Sequence, residues 1–228
     1  MKIKLSSEVV YVIAVFVLGL GVALVSSTDF GISMVAAPAY ILSLKTGLSF
    51  GQCEYIVQGI CFVLFCLIVR KIKWVYFTSF LTCLFYGFVL DFWRKVIPIL
   101  NPSITVPGDY SFSLRIILFG GGVLLSTLSI AMFFRIYLYP AVLDFFVKGV
   151  CSEKKLDSTK FKIAFDFSCL FLSCLMSFVL FHKLVGIGIG TVIMTFINGL
   201  LIGFFGHVLD RYFEIKPIFI KFSKYFDI

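Results

Sequence analysis

The residues able to do chemistry in this chain are few, and they stand in apolar surroundings. Between Gly19 and Pro38 the run GLGVALVSSTDFGISMVAAP places the hydroxyls of Ser26, Ser27 and Thr28 and the carboxylate of Asp29 in a break between two apolar stretches. Apolar sequence resumes at Gly31, Ser33 adds a hydroxyl, and Pro38 interrupts again just before Tyr40. Lipid offers no hydrogen-bond partner, so irregular backbone at membrane depth persists only where protein or a water-filled cavity satisfies it. The break therefore marks a candidate substrate site made of Ser26, Thr28, Asp29, Gly31, Ser33, Pro38 and Tyr40. For Asp29 a second role is open, as the N-cap of a helix starting at Gly31.

Other polar groups lie within apolar runs. Glu54 and Gln58 are one turn apart, Asp166 occupies a comparable early position in a later run, and Asp144 follows Pro140. An ionisable group inside a span faces protein or water and is a functional candidate, so Glu54, Gln58, Pro140, Asp144 and Asp166 join the set. Asn198, near the centre of the last apolar run, joins it too, with interhelical hydrogen bonding as its plainer role. No metal centre or cofactor is expected: the two histidines, His182 and His207, are far apart, and the seven cysteines lack a CxxC pair. Gly186-Ile-Gly188-Ile-Gly190 follows no strand and is not a dinucleotide fingerprint. With no HExxH, phosphate loop or nucleophile triad, an enzyme is not expected.

The elements that must position these groups follow from composition. With 61% hydrophobic and 14% charged residues, the chain reads as an all-α polytopic membrane protein. Its net charge of +8 suits loops facing anionic lipid better than nucleic acid. Apolar runs at 9–25, 52–69, 74–93, 114–134, 163–181 and 186–209 are long enough to span. The first is read as a retained anchor, because no A-x-A cleavage site follows Lys2 and Lys4. Two shorter runs, 31–44 and 137–147, fall short; fourteen residues give about 21 Å of helix against roughly 30 Å of hydrocarbon.

The loop 97–113, with three prolines and a Pro107-Gly108-Asp109 turn signal, divides the chain into a first repeat of about 8–96 and a second of about 114–210. Each has three spans and one short broken or re-entrant segment. Gly19 and Gly21 return as Gly120 and Gly122, Pro38-Ala39 as Pro140-Ala141, and Cys61 and Cys66 as Cys169 and Cys174. Gly87 with Asp91 returns as Gly203 with His207. If the short segments dip and return, the repeats are inverted; if they cross, there are eight spans and the repeats are parallel. Basic-residue totals do not choose, but the dense cluster Arg70-Lys71-Ile-Lys73 resists translocation and favours six spans. Both arrangements leave both termini and the 150–162 linker in the cytoplasm. The tail 211–228, mixing lysines with aromatic residues, is expected either to lie along the membrane surface or to be unstructured.

The pattern Gly19-x-Gly21-x-Ala23-Leu24, then Asp29-Phe-Gly31-Ile-Ser33, then Thr46-Gly-Leu-Ser49-Phe-Gly-Gln52, and later Gly186-Ile-Gly188-Ile-Gly190-Thr191 with Ile202-Gly203 resembles the YczE/YitT-like bacterial integral membrane proteins over most of the chain. The resemblance implies a multi-pass protein of the bacterial inner (plasma) membrane and carries no settled activity. Where those proteins have Ser-Pro-Trp-Asp, this chain has Ser33-Met-Val-Ala and delays its proline to Pro38, so that motif's acidic residue has no counterpart here.

Two functions fit these observations. One is a small-molecule transporter or permease-like protein with a midplane site between the repeats, half-helix N-termini presenting free N–H groups to an anionic group or water. The other is a non-transporting scaffold or accessory protein for a partner enzyme or exporter. The lipid bilayer and an unknown small molecule are the expected partners, and the glycine pairs permit a homodimer without requiring one.

Overall fold

The computed structural model describes residues 3–70, 74–106 and 109–226. Lys71 and Lys73 of the basic cluster, and Pro107 and Gly108 of the turn signal, lie outside the described residues. The elements in order are β1 (Ile3–Ser6), α1 (Ser7–Ser26), α2 (Ala37–Thr46), α3 (Phe50–Val69), α4 (Phe77–Val96), α5 (Phe112–Phe133), α6 (Val142–Lys154), α7 (Ser158–Phe181), α8 (Ile189–Tyr212) and β2 (Phe213–Lys216). Among the described residues six helices are long and apolar enough to cross a membrane: α1, α3, α4 with the turn that precedes it, α5, α7 and α8.

The two short helices begin later than hydropathy suggested. Residues 27–36 are irregular, and α2 starts where Pro38, in its first turn, brings a preset helical φ and needs no N–H partner. Gly47, at φ 73°, ends it in the left-handed region. In the same way α6 starts two residues after Pro140 and runs to Lys154, through the first part of the segment read as a charged linker. At the start of α3, Ser49 and Gln52 form a reciprocal capping box, the Ser49 hydroxyl accepting from the Gln52 amide at 3.1 Å and Gln52 Oε1 accepting from the Ser49 amide at 3.0 Å.

At the centre α1 and α5 pack antiparallel. The Ser129 hydroxyl donates to Ala14 O at 2.6 Å, and Arg115 Nε donates to Thr28 O at 2.7 Å near the other end. Between these points the backbones touch: a Cβ placed on Gly21 would fall 2.7 Å from Ser126 N and 2.9 Å from Gly122 O. Small residues permit this approach in a bundle that gains nothing from burying apolar surface away from lipid. Helix α4 packs on α1 with Val89 against Gly19, α8 packs on α5, α3 packs on α4, α2 lies against α3 and α7, and α6 lies against α3 and α7.

Because α1 and α5 are antiparallel, α2 and α6, which follow them, sit at opposite ends of the bundle. One end carries the proline-rich loop. The other is closed by a clasp that sequence reading did not anticipate: β1 pairs in parallel with β2, Ile3 opposite Phe213 and Ser6 opposite Lys216. Glu8 tightens it, accepting from the Ile218 and Phe219 amides and, at 3.0 Å, from the Tyr137 hydroxyl. The start of the tail is therefore tied to the N-terminus rather than lying free.

Gly21→Ala is expected to lower stability by about 1–3 kcal/mol, since its methyl has no room between the two backbones. Gly120→Ala, two residues before Gly122 on α5, where nothing lies within 4 Å of an added Cβ, is expected to be neutral or slightly stabilising. Thermal unfolding of the two variants in detergent checks this.

Candidate functional site

The interrupted stretch is satisfied by protein. The hydroxyls of Ser26, Ser27 and Thr28 turn back onto Ala23, Leu24 and Val25 carbonyls at 2.7–2.9 Å, so they close the last turn of α1. Asp29 adopts φ 55° and Gly31 φ 94°. There the chain meets the segment before α8: Ile32 N donates to Gly186 O at 3.1 Å, and Gly190 N to Phe30 O at 2.7 Å. Gly31 and Gly188 lie against each other too closely for a side chain on either. Arg115 lies 4.4 Å above the Phe30 ring while its Nε holds Thr28 O. Pro38 is buried in the first turn of α2, and the Tyr40 hydroxyl donates to Ser26 O at 3.2 Å.

Ser33 and Asn198 are brought together, facing a cavity of about 70 Å³ between α1, α5 and α8 whose other walls, apart from Ser126, are apolar. This holds a water or two, not a metabolite.

Glu54 and Gln58 form the most enclosed polar pair in the bundle, each 2% exposed. Gln58 Nε2 donates to Glu54 Oε2 at 2.9 Å, and Gln58 Oε1 accepts from the Val142 amide at 3.0 Å. Val142 is the first residue of α6, so this side chain of α3 fills one of the four orphan donors at that helix's N-terminus. The contact lies well inside the bundle, Gln58 being eight residues, about 12 Å, along α3. From there α6 runs beside α3 toward the clasp end, with Gly149 against Phe65.

Just beyond, Tyr139 and Pro140 wall a larger, partly open cavity of about 460 Å³, lined also by Phe133, Tyr137, Phe145 and Lys148 and, from the tail, by Ser223 and Phe226. Lys148 Nζ lies 4.7 Å from the Phe134 ring centroid, and burial pulls its amine below the usual lysine range. Burial, with the bond to Glu8, pushes the Tyr137 phenol up to about 12. Lys162 bridges Asp144 of α6 at 3.5 Å and Asp166 of α7 at 3.1 Å. The sequence-derived residues thus fall into three groups: those of 26–40 with Asn198 toward the loop end, Glu54 with Gln58 at depth, and Asp144 with Asp166 near the clasp end. Pro140 stands between the last two.

Two features escaped sequence reading. Asp91 reaches across to the start of α3, accepting from the Ser49 hydroxyl at 2.5 Å and the Gly51 amide at 2.9 Å; Ser49 three residues before Gln52 was the available signal. Arg94, which sequence alone reads as a basic residue ending a span, is 8% exposed, and no sequence signal distinguishes it from its exposed neighbour Lys95.

A family profile described as a family of unknown function (DUF6198) matches residues 5–207. The uncharacterized protein YyaS of Bacillus subtilis (strain 168) is 26% identical over 208 residues, which cover 90% of this chain and 95% of that protein. No solved structure matches. The profile does not carry the YczE/YitT-like name that the motifs resemble, and it brings no activity with it.

Gln58→Leu leaves both the Glu54 carboxyl and the Val142 amide without their partner, and it is expected to cost about 1–3 kcal/mol for each orphaned group. The double variant Glu54→Leu/Gln58→Leu is expected to recover part of that loss. A double-mutant cycle on thermal unfolding measures the coupling.

Proposed function

The chain belongs to the DUF6198 family, a family of unknown function, and on that premise we propose that it is a small secondary carrier, driven by protonation of Glu54. The observation that carries the reading is the continuous path of contacts from Glu54 through Gln58 to the first amide of α6, beside a cavity large enough for a metabolite. An ionised Glu54 accepts from the Gln58 amide, whose oxygen is then free to hold Val142. A protonated Glu54 becomes a donor and competes for that oxygen; if the amide turns to serve it, NH₂ faces N–H at Val142. In the first case the oxygen is shared and the anchor of α6 is weakened, in the second it is lost, and Tyr139 and Pro140, which wall the cavity, are released with it. Gain or loss of one proton at depth is thereby linked to the shape of the cavity.

The doubled plan is part of the proposal. Several contacts pair as a two-fold axis in the membrane plane would pair them, α1 with α5, α4 on α1 as α8 on α5, and α2 beside α7 as α6 beside α3, while α3 on α4 has no comparable counterpart between α7 and α8 among the described residues. With α1 and α5 antiparallel, this supports inverted repeats whose short helices are re-entrant, their N-termini directed into the bundle. In this reading the protein crosses a bacterial inner membrane six times, the clasp end is cytoplasmic, and no enzymatic step is involved. A second reading, an accessory protein for a partner enzyme or exporter, draws on the poor burial of α7 and α8, where only 17% of each apolar window is covered within the chain.

Reconstituted in liposomes with an internal pH dye, the protein is expected to give proton uptake when one of a panel of metabolites is added. Glu54→Gln, inserted at normal abundance, is expected to abolish the proton signal. Wild-type protein that moves neither protons nor any solute refutes the carrier and favours the accessory reading. For topology, a cysteine introduced by Lys71→Cys in a cysteine-free background is expected to react with an impermeant maleimide only after cells are permeabilised; labelling of intact cells overturns six crossings.

A further inference from the structure

We infer that Arg94, with Phe50 and Tyr40 beside it, forms a binding site for a small monocarboxylate at the loop end of the bundle. The site is separate from Glu54 and does not depend on transport. Arg94 is 8% exposed, yet among the described residues its guanidinium has no hydrogen bond and no ion pair, and its Nε is wholly enclosed. A guanidinium keeps its charge and carries five N–H donors; here the Nε donor is enclosed without an acceptor, which is costly, while the terminal nitrogens are not enclosed and can be reached from outside. The Phe50 ring centroid, 5.5 Å from Cζ, offers cation–π attraction but accepts no conventional hydrogen bond. Tyr40, in edge contact with Phe50 at 5.3 Å, spends its own proton on Ser26 O.

The nearest acid along the helix does not fill the gap. Asp91 lies one turn before Arg94, and its two oxygens are held by Ser49 and Gly51 at the start of α3. The position in the last turn of α4 explains why a cation is tolerated, since the helix dipole favours one there. It does not explain the burial, because an arginine serving only that purpose would extend its head into water. What remains is a fixed cation that lacks an acceptor.

The surroundings narrow the class of ligand. The planar fork of a guanidinium matches the two oxygens of a carboxylate. Asp91 already brings one negative charge close by, so a dianion such as phosphate meets more repulsion in this low-dielectric setting than a monoanion does. Phe50 and Tyr40, 0% and 4% exposed, leave no open face for the ligand, so they fix the place of the guanidinium and the ligand is held by its carboxylate.

The test uses the full-length protein purified in detergent and melted while its tryptophan fluorescence is followed. Sodium benzoate is titrated against sodium chloride at equal ionic strength, with inorganic phosphate in parallel. The expected result is a saturable rise in melting temperature with benzoate that chloride does not reproduce. Arg94→Gln is expected to abolish it, Arg94→Lys to raise the half-saturating concentration by about tenfold by keeping the charge without the fork, and Lys95→Gln to respond as wild type. An equal rise in benzoate and chloride, or one that survives in Arg94→Gln, overturns the site. A stronger response to phosphate than to benzoate overturns the monocarboxylate assignment. Should Arg94→Gln not fold, Arg94→Lys decides, and wild-type affinity in that variant overturns the proposal. No step involves transport, so the result stands whether or not the carrier reading does.

Discussion

The bundle depends on the place where α1 and α5 touch backbone to backbone. Gly21 and Gly122 meet with no side chain between them, and the antiparallel crossing they permit decides where everything else can go. It puts the irregular segment after α1 at one end and the linker after α5 at the other. It leaves flanks on which α4 and α8 pack, and it gives α2 and α6 opposite ends of the remaining helices. A wider α1–α5 separation would pull Thr28 O away from Arg115 and Tyr137 away from Glu8, removing one fastening at each end.

A second constraint is that backbone at depth must find its partners inside the protein. At Phe30, Ile32, Gly186 and Gly190 two strangers in sequence satisfy each other, and at Val142 a side chain substitutes for the missing turn of helix. The first solution is rigid, because glycine contact on both sides leaves no slack. The second hangs on one amide whose other end is occupied by an ionisable group. The two short helices are thus fastened differently, one beside a backbone-to-backbone contact and the other through a single side-chain amide.

Much of this was legible in the sequence. Six long apolar runs correspond to the six long helices, since apolar length is a local property. The repeated glycines, Gly21 and Gly122, are the ones that meet, and Glu54 with Gln58 stood out as polar groups inside an apolar run. Helix starts at Ala37 and Val142 were misplaced by several residues, because hydropathy registers apolar character and not the φ that Pro38 sets or the cap that Gln58 supplies from another helix. The hydroxyls of Ser26 and Thr28 looked available, but each donates to the carbonyl three residues before it. Arg94 was illegible for a plainer reason: its environment is made by residues 40 and 50, far away in sequence.

The clasp of β1 and β2 has a consequence for how the protein is made. Strand β1 leaves the ribosome before α1, and its partner only after α8. Until Phe213–Lys216 emerge, Ile3–Ser6 has no neighbour to complete its ladder, and Glu8 has no Ile218 or Phe219 amide to hold. Helices α1 to α8 all leave the ribosome before the two strands can be joined, so a chain stopped short of β2 keeps an unpaired strand edge open to the quality-control machinery.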